Sequence, residues 1–121
     1  MNTTSIADVA EQIVQDTVSA MVQPNAGECL ACYVLRQLNT FGCDGSHRFS
    51  RAFRDLTAPR ATSLEVRLAS MGACCCDCEI YMNAYESAQR DWESRPQPPC
   101  CGVRLGSTQP CGNWVRIRRY Y

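Results

Sequence analysis

The chain is short, rich in cysteine and electrically balanced. It has 121 residues, ten of them cysteine, and twelve basic residues, all arginine, offset twelve acidic ones. A chain of this length forms one domain with a modest core, so we treat residues 1–121 as a single domain. No apolar stretch is long enough to span a membrane, and the N-terminus lacks the basic start and apolar run of a secretory signal. We therefore predict a cytoplasmic protein without membrane contact.

The ten cysteines are the most informative feature of the composition. In a reducing cytosol, closely spaced thiols are far more often metal ligands than disulfides. Zinc is the cofactor that this pattern favours, while disulfides and an iron–sulfur cluster remain as alternatives. We expect one or two zinc ions, and we favour two because the chain has enough cysteines for two sites of four ligands.

The first predicted element is an amphipathic helix over residues 5–22, within an N-terminal segment 1–24. Ser5 and Asp8 form a capping-box-like arrangement, and apolar residues follow at helical spacing until Pro24. This is the clearest helical pattern in the sequence.

Two helices are predicted at the start of a helical zinc-binding core that spans residues 28–95. One follows Cys29 and stops at Gly42, where the chain needs a left-handed C-cap. The next is capped by Asp44 or Ser46, because a short polar side chain at the N-cap accepts a hydrogen bond from a free amide.

Two more helices complete the predicted core. Residues 64–71 follow Pro59, keep helical spacing and stop at Gly72. Beyond the cysteine run, apolar and aromatic residues recur at three- and four-residue steps over residues 80–92. The prolines from Pro96 onward end that helix. We expect its aromatic side chains to pack in the core.

The C-terminal segment, residues 96–121, differs in texture from the helical core. Gly, Ser, Thr and Pro are frequent in it, and short strands are predicted at residues 103–105 and 114–117. The predicted fold class is mainly α: a small zinc-stabilised helical domain with a cysteine-rich, mostly irregular or short-β C-terminal extension. We expect this extension to fold back on Cys29 and Cys32.

The cysteines and the single histidine divide into two sets of four ligands. Two ligands separated by one to four residues can reach one zinc ion from a turn, and two more come from elsewhere in the chain. The first predicted site consists of Cys43, His47, Cys76 and Cys78. The second predicted site consists of Cys29, Cys32, Cys101 and Cys111.

The choice of Cys101 over its neighbour Cys100 rests on the glycine that follows it. A glycine after a ligand lets the backbone turn and its amide approach the sulfur, and Cys111 is followed by a glycine as well. The alternative is that these glycines only shape loops. Which of Cys100 and Cys101 is a ligand therefore stays open at this point.

The choice of His47 rests on its distance from Cys43. Four residues separate them, so one helical turn brings both to the same ion, although a solvated histidine is nearly as good an interpretation. Cys74, Cys75 and Cys100 are left without a site. Adjacent cysteines do not easily all face one metal, so we interpret some of these three as buried small apolar groups or spare thiols.

Several blocks of the sequence resemble an uncharacterised bacterial family. They are ECLACY at 28–33, FGCDGSHRF at 41–49, APRAT at 58–62, CDCEI at 76–80 with Asn83, and GSTQPC at 106–111 with Trp114. They are similar to domain of unknown function 2695, in the form typical of actinobacteria. The resemblance implies no known activity. It also implies a histidine at the position of Gly45, so His47 or a leading cysteine of the run would replace that ligand.

Acidic side chains beside the predicted ligands could perform acid–base chemistry only at a metal with an open coordination position. Asp44, Asp77 and Glu79 are the acids in question. Closed cysteine-rich sites are structural, so we assign no catalytic residues and do not expect an enzyme. An enzyme with a catalytic metal remains an alternative.

Arginines interleaved with aromatic residues make nucleic acid a candidate partner. The candidate contacts are Arg48, Arg51, Arg116, Arg118 and Arg119. The zero net charge argues against this role, as do the acidic residues with which arginines can pair. The function that we predict is an interaction module with structural zinc and an unknown protein partner. The alternatives are a thiol-based redox or zinc sensor and a weak nucleic-acid-binding module.

Overall fold

The computed structural model describes residues 22–88 and 98–118. The predicted N-terminal helix lies outside the described residues except for Val22, and so does Arg119. The division of the chain into a single domain with three segments stays a prediction. The described residues form three α-helices, one π-helical turn and a two-stranded ribbon, so the mainly helical fold class is confirmed.

Helix α1, Leu30–Phe41, begins and ends as the sequence predicts. Cys29 is its N-cap residue, and the Cys29 sulfur accepts a hydrogen bond from the Cys32 amide at 3.3 Å. Gly42 closes the helix with a φ of 76°, and its amide donates to the Leu38 carbonyl. This left-handed conformation favours glycine because any side chain there would be strained.

Helix α2, Arg48–Thr57, is confirmed, but the prediction of its cap is wrong. Asp44 instead accepts hydrogen bonds from the amide and hydroxyl of Ser46, so neither side chain caps the helix amides. The free amides at the start of α2 donate to Asp77, which lies far along the chain. Its carboxylate is 2.9 Å from the Phe49 amide and 3.2 Å from the Ser50 amide. A distant buried carboxylate therefore caps this helix.

Helix α3, Leu64–Ser70, is confirmed and stops before Gly72, which has a φ of 97°. The predicted helix over residues 80–92 is wrong in its first half. Ile80–Ala84 forms a π-helical turn, and the chain then extends into strand β1, Tyr85–Ser87. Residues 89–97 lie outside the described residues.

Strand β1 pairs in antiparallel register with β2, Trp114–Arg116, so Tyr85 lies opposite Arg116 and Ser87 opposite Trp114. The strand predicted at 114–117 is thus confirmed, and the one predicted at 103–105 is wrong. Val103 lies outside the strands and donates a backbone hydrogen bond to the Gly27 carbonyl at 2.8 Å. Pairing with a remote strand outweighs the helical spacing of residues 85–87, since tertiary contacts override weak local preferences.

The core lies between α1, α2 and the ribbon. Tyr33 of α1 packs against Phe53 of α2 with ring centroids 5.6 Å apart, and Tyr81 packs against Trp114 at 5.3 Å. The buried set also includes Leu30, Val34, Leu64, Leu68 and Ile80. Among the described helices, none is long and apolar enough to cross a membrane.

Candidate metal centre

Four cysteine sulfurs meet at one buried point, which we call the four-sulfur cluster. Its members are Cys29, Cys32, Cys100 and Cys111, whose sulfur atoms all lie within 4.8 Å of one another. Three of the four residues are at least 95% buried, and Cys100 is partly exposed. The cluster therefore joins the beginning of α1 to the C-terminal extension.

Local structure fixes each sulfur of this cluster. Cys29 and Cys32 flank the first turn of α1, where their spacing brings both side chains to one side. The extension reaches α1 through the bond from the Val103 amide to the Gly27 carbonyl. Cys111 then approaches Cys32 with a sulfur–sulfur distance of 3.7 Å. The predicted return of the extension to the Cys29–Cys32 pair is thus what the structure shows.

Several N–H groups donate hydrogen bonds to the sulfurs of the four-sulfur cluster. The Cys29 amide lies 3.2 Å from the Cys100 sulfur, and the Gly102 amide lies 3.4 Å from it. The Cys32 sulfur accepts from the indole N–H of Trp114 at 3.4 Å. Donors of this kind stabilise negative charge on thiolate ligands and orient them. These donors favour the thiolate form, whereas burial of the cluster opposes it and raises the pKa of Cys100.

The acidity of the two helix cysteines fits the same description. The hydrogen bond from Cys32 lowers the pKa of Cys29 to about 5, and burial opposes this shift. The same contact, together with burial, raises the pKa of Cys32. Cys29 is therefore the sulfur of this pair that ionises first, and a bound cation would favour the thiolate form of both.

The structure places Cys100 in the four-sulfur cluster and leaves Cys101 outside it. Cys101 is exposed, and its sulfur contacts the side-chain oxygen of Asn113 at 3.3 Å. The glycine argument identified a real donor but the wrong acceptor, because the Gly102 amide donates to the cysteine two residues before it. The i to i+2 spacing of Cys100 and Gly102 is the signal that could have identified the correct residue.

A second group, the three-sulfur cluster, lies near the surface. Cys43, Cys76 and Cys78 have sulfur atoms within 4.8 Å of one another; Cys43 is exposed and the other two are half-buried. Asp77 sits between two of them and is 1% exposed. Its carboxylate caps α2, and its amide donates to the Ser46 carbonyl at 3.1 Å. Asp77 therefore holds the Cys76–Cys78 segment against the loop that carries Cys43.

The three sulfurs also share protons. A hydrogen bond with Cys78 lowers the pKa of Cys43, and the same contact raises the pKa of Cys78 to about 12. Desolvation raises the pKa of Cys76. Cys43 is therefore the sulfur of this cluster that ionises first.

His47 does not join the three-sulfur cluster. Its ring nitrogens are not within 4.8 Å of all three sulfurs, although the residue is only 3% exposed. Its Nε2 atom has no hydrogen-bond partner among the described residues. The predicted helical turn between Cys43 and His47 does not exist, because α2 begins only at Arg48. The solvated alternative is also wrong, since the ring is buried.

Cys74 and Cys75 are bonded to each other in a disulfide between adjacent residues, and the other eight cysteines are free thiols. Both residues are exposed, so the prediction of buried small groups is wrong for these two. Glu79 lies beside them: its carboxylate accepts from the Cys75 amide at 3.1 Å and lies 3.7 Å from the Cys76 sulfur. This disulfide spans one peptide unit and links no distant parts of the chain.

The structure disperses the arginines proposed as nucleic-acid contacts. Arg48 pairs with Asp44 and lies over the Phe49 ring, with 4.4 Å from its guanidinium carbon to the centroid. Arg51 pairs with Glu65 on α3. Arg116 and Arg118 are exposed and lie in the C-terminal extension, at the end of β2 and just after it. Carboxylates thus pair with Arg48 and Arg51, and the nucleic-acid role stays a prediction.

Part of the chain matches a known protein family. Residues 30–83 match the family described as "Protein of unknown function (DUF2695)". This segment belongs to that family. The match confirms the resemblance, while its actinobacterial form and the tail motif stay predictions. No curated protein and no solved structure matches the chain. The DUF2695 segment contains the whole three-sulfur cluster, whereas Cys29, Cys100 and Cys111 lie outside it.

Proposed function

We propose that the four-sulfur cluster binds one zinc ion and that this ion is structural. The observation that supports it best is the convergence of four sulfurs within 4.8 Å in a buried place supplied with N–H donors. Thiolates are soft ligands that favour zinc, and four of them leave no coordination position for substrate. The resident ion would therefore hold the extension on α1 without taking part in a reaction.

We further propose a second zinc ion at the three-sulfur cluster, so that the chain carries two. Its three sulfurs leave the fourth ligand to be supplied by water, by Glu79 after a side-chain rotation, or by a partner. In this proposal the protein is a cytoplasmic DUF2695 module with no catalytic residues. Because four thiolates leave the buried ion no coordination position for a substrate, we propose an interaction role with a protein as the partner.

The test is metal analysis of protein purified without added metal. The same analysis is made on one variant of a cysteine inside the four-sulfur cluster and one variant of a cysteine outside it. We expect two zinc ions per chain by elemental mass spectrometry. Cys111→Ser should lose one ion and most of its helical circular dichroism, because structural zinc contributes on the order of 10 kcal/mol to such small folds. Cys101→Ser is the matched control and should keep both ions and the wild-type spectrum.

Two outcomes would contradict the proposal. Protein that contains no metal and keeps its helices in a strong chelator would show that the sulfurs are not a structural site. Iron in place of zinc, with visible absorption from thiolate-to-metal charge transfer, would favour the iron–sulfur alternative.

A redox sensor is the second candidate, and the disulfide between Cys74 and Cys75 favours it. This pair lies next to Cys76 of the three-sulfur cluster and is exposed to reductants and oxidants. A sensor would release zinc under a mild two-electron oxidant and recover it after reduction by a dithiol. A structural module would keep the buried ion under the same oxidant.

A further inference from the structure

The described arginines fall into two groups that differ in their partners. Each arginine of the first group is bonded to a carboxylate; these are Arg36, Arg48, Arg51 and Arg54. The second group has no carboxylate partner within residues 22–88 and 98–118; its members are Arg60, Arg67, Arg104, Arg116 and Arg118. Of these five, Arg67 and Arg116 line the same cavity, which has a volume of about 360 Å³. Two guanidinium groups without counter-charges in one cavity need an explanation.

Arg116 is the last residue of strand β2. Trp114 and Arg116 lie two residues apart, so their side chains share one face of β2, and Trp114 is 9% exposed on the core side. Val115 points to the other face and is 44% exposed. Arg116 therefore lies at the exposed end of the face that Trp114 begins, where it lines the cavity and remains open to solvent.

The cavity combines an apolar floor with polar side chains at its edge. Leu30, Leu64, Leu68 and Met71 supply the apolar part. The polar part consists of the two arginines with Ser70, Tyr85, Thr108 and Gln109. No aspartate or glutamate is among the lining residues. A volume of this size is at the small end of the range for ligand pockets, which is about 300–1,000 Å³.

The hydroxyl groups at the edge are available as hydrogen-bond donors. Thr108 accepts a hydrogen bond from Arg67 at 2.6 Å, which leaves the hydroxyl proton of Thr108 free to point into the cavity. Tyr85 lies opposite Arg116 in the ribbon. Burial raises the pKa of Tyr85 although the charges of Arg116 and Arg67 oppose this shift, so its hydroxyl remains protonated at neutral pH. The cavity edge therefore offers two guanidinium groups and two hydroxyl donors.

We propose that this cavity binds a small phosphate monoester that carries an apolar group. The dianionic head matches the charge of Arg67 and Arg116, and its three terminal oxygens can accept from the guanidinium groups and from both hydroxyls. A carboxylate has one negative charge and two oxygens, so it matches two guanidinium groups less well than a head with two negative charges and three terminal oxygens. The apolar group of the ester covers the leucine floor.

This site is separate from the proposed zinc function but depends on the same framework. Leu30 follows Cys29 of the four-sulfur cluster, and Pro110 precedes Cys111. Two walls of the cavity are therefore fixed by neighbours of that cluster. Binding must be measured on the protein as purified, with its metal content known, so that a failure of ligand binding is distinct from a failure to hold zinc.

The experiment is isothermal titration calorimetry with phenyl phosphate at about pH 7.5, where a phosphate monoester is dianionic. Inorganic phosphate tests the contribution of the apolar group, and benzoate tests the contribution of the dianionic head. We expect saturable binding of phenyl phosphate with one site per chain. Both comparison ligands should bind at least about tenfold more weakly, since each lacks one of the two contacts.

Two arginine variants test the location of the site. Arg116→Gln should weaken phenyl phosphate binding at least about tenfold, because it removes one charge-assisted contact. Arg118→Gln is the matched control, since it removes the same charge two residues away and outside the lining of the cavity. It should bind phenyl phosphate as the wild type does.

Three results would overturn the proposal. One is the absence of saturable phenyl phosphate binding at millimolar concentration in protein that holds its zinc. Another is an equal loss of affinity in both arginine variants, which would indicate attraction to general positive charge. The third is benzoate binding as tight as that of phenyl phosphate, which would exclude a phosphate site.

Discussion

The two cysteine clusters present the same ligand atoms in opposite surroundings. The four-sulfur cluster is buried and brings together residues as distant as Cys32 and Cys111, 79 positions apart. The three-sulfur cluster has an exposed member, Cys43, and lies wholly within the DUF2695 segment. A cation in the first would close the long loop between Cys32 and Cys111, whereas a cation in the second would close the shorter loop between Cys43 and Cys76. Burial and chain separation, rather than ligand type, thus distinguish a folding site from an exchangeable one.

Removal of metal should give the largest difference between the clusters. With a coloured chelator we expect two phases of zinc release: a fast one from the exposed three-sulfur cluster, with the helical signal retained, and a slow one from the buried cluster, with helicity lost. Zinc release and far-ultraviolet circular dichroism should be followed in the same sample. Cys43→Ser should remove only the fast phase. A single phase in which both ions leave together with the helices would mean that the clusters are equivalent.

Asp77→Asn should have the next largest effect, because it weakens the connection between the three-sulfur cluster and α2. The buried carboxylate accepts from two amides and from the Ser50 hydroxyl at 2.5 Å, so loss of its charge should cost about 2 kcal/mol of unfolding free energy. Urea denaturation measures this cost. Asp44→Asn is the control, since Asp44 is exposed and bonds only within its own loop and to Arg48. Equal urea midpoints for the two variants would show that the Asp77 carboxylate does not stabilise the start of α2.

Trp114→Phe should have the smallest effect of the three, confined to the buried cluster. It keeps an aromatic ring against Tyr81 but removes the N–H donor to the Cys32 sulfur. Loss of one such donor should lower zinc affinity about tenfold, with the helices intact. Competition with a chelator of known affinity measures the change. Zinc release from the three-sulfur cluster serves as the internal control. A change in its rate would show that the effect of the substitution is not confined to the buried cluster.

Features decided by neighbouring residues could be predicted from the sequence. The start of α1 at Cys29 and its end at Gly42 follow from short-range capping chemistry. The pairing of Cys29 with Cys32 and of Cys76 with Cys78 follows from their spacing, which the structure keeps. These features need no knowledge of how distant segments meet.

Features decided by distant contacts could not be predicted in the same way. The cap of α2 comes from Asp77, 28 residues after the amide that it binds at Phe49. The extended chain from Tyr85 depends on a partner strand that begins at Trp114. The choice of Cys100 over Cys101 depends on which side of the extension faces α1. In each case the local pattern allowed two outcomes, and tertiary packing decided between them.

The position of Asp77 also provides a reporter for a site that is spectroscopically silent with zinc. The amide protons of Phe49 and Ser50 donate to this carboxylate, and Asp77 is joined covalently to two members of the three-sulfur cluster. Any shift of Cys76 or Cys78 on metal exchange would move the acceptor of both amides. The nuclear magnetic resonance signals of these two amides should therefore report whether the three-sulfur cluster holds a metal ion, without a coloured metal or an added label.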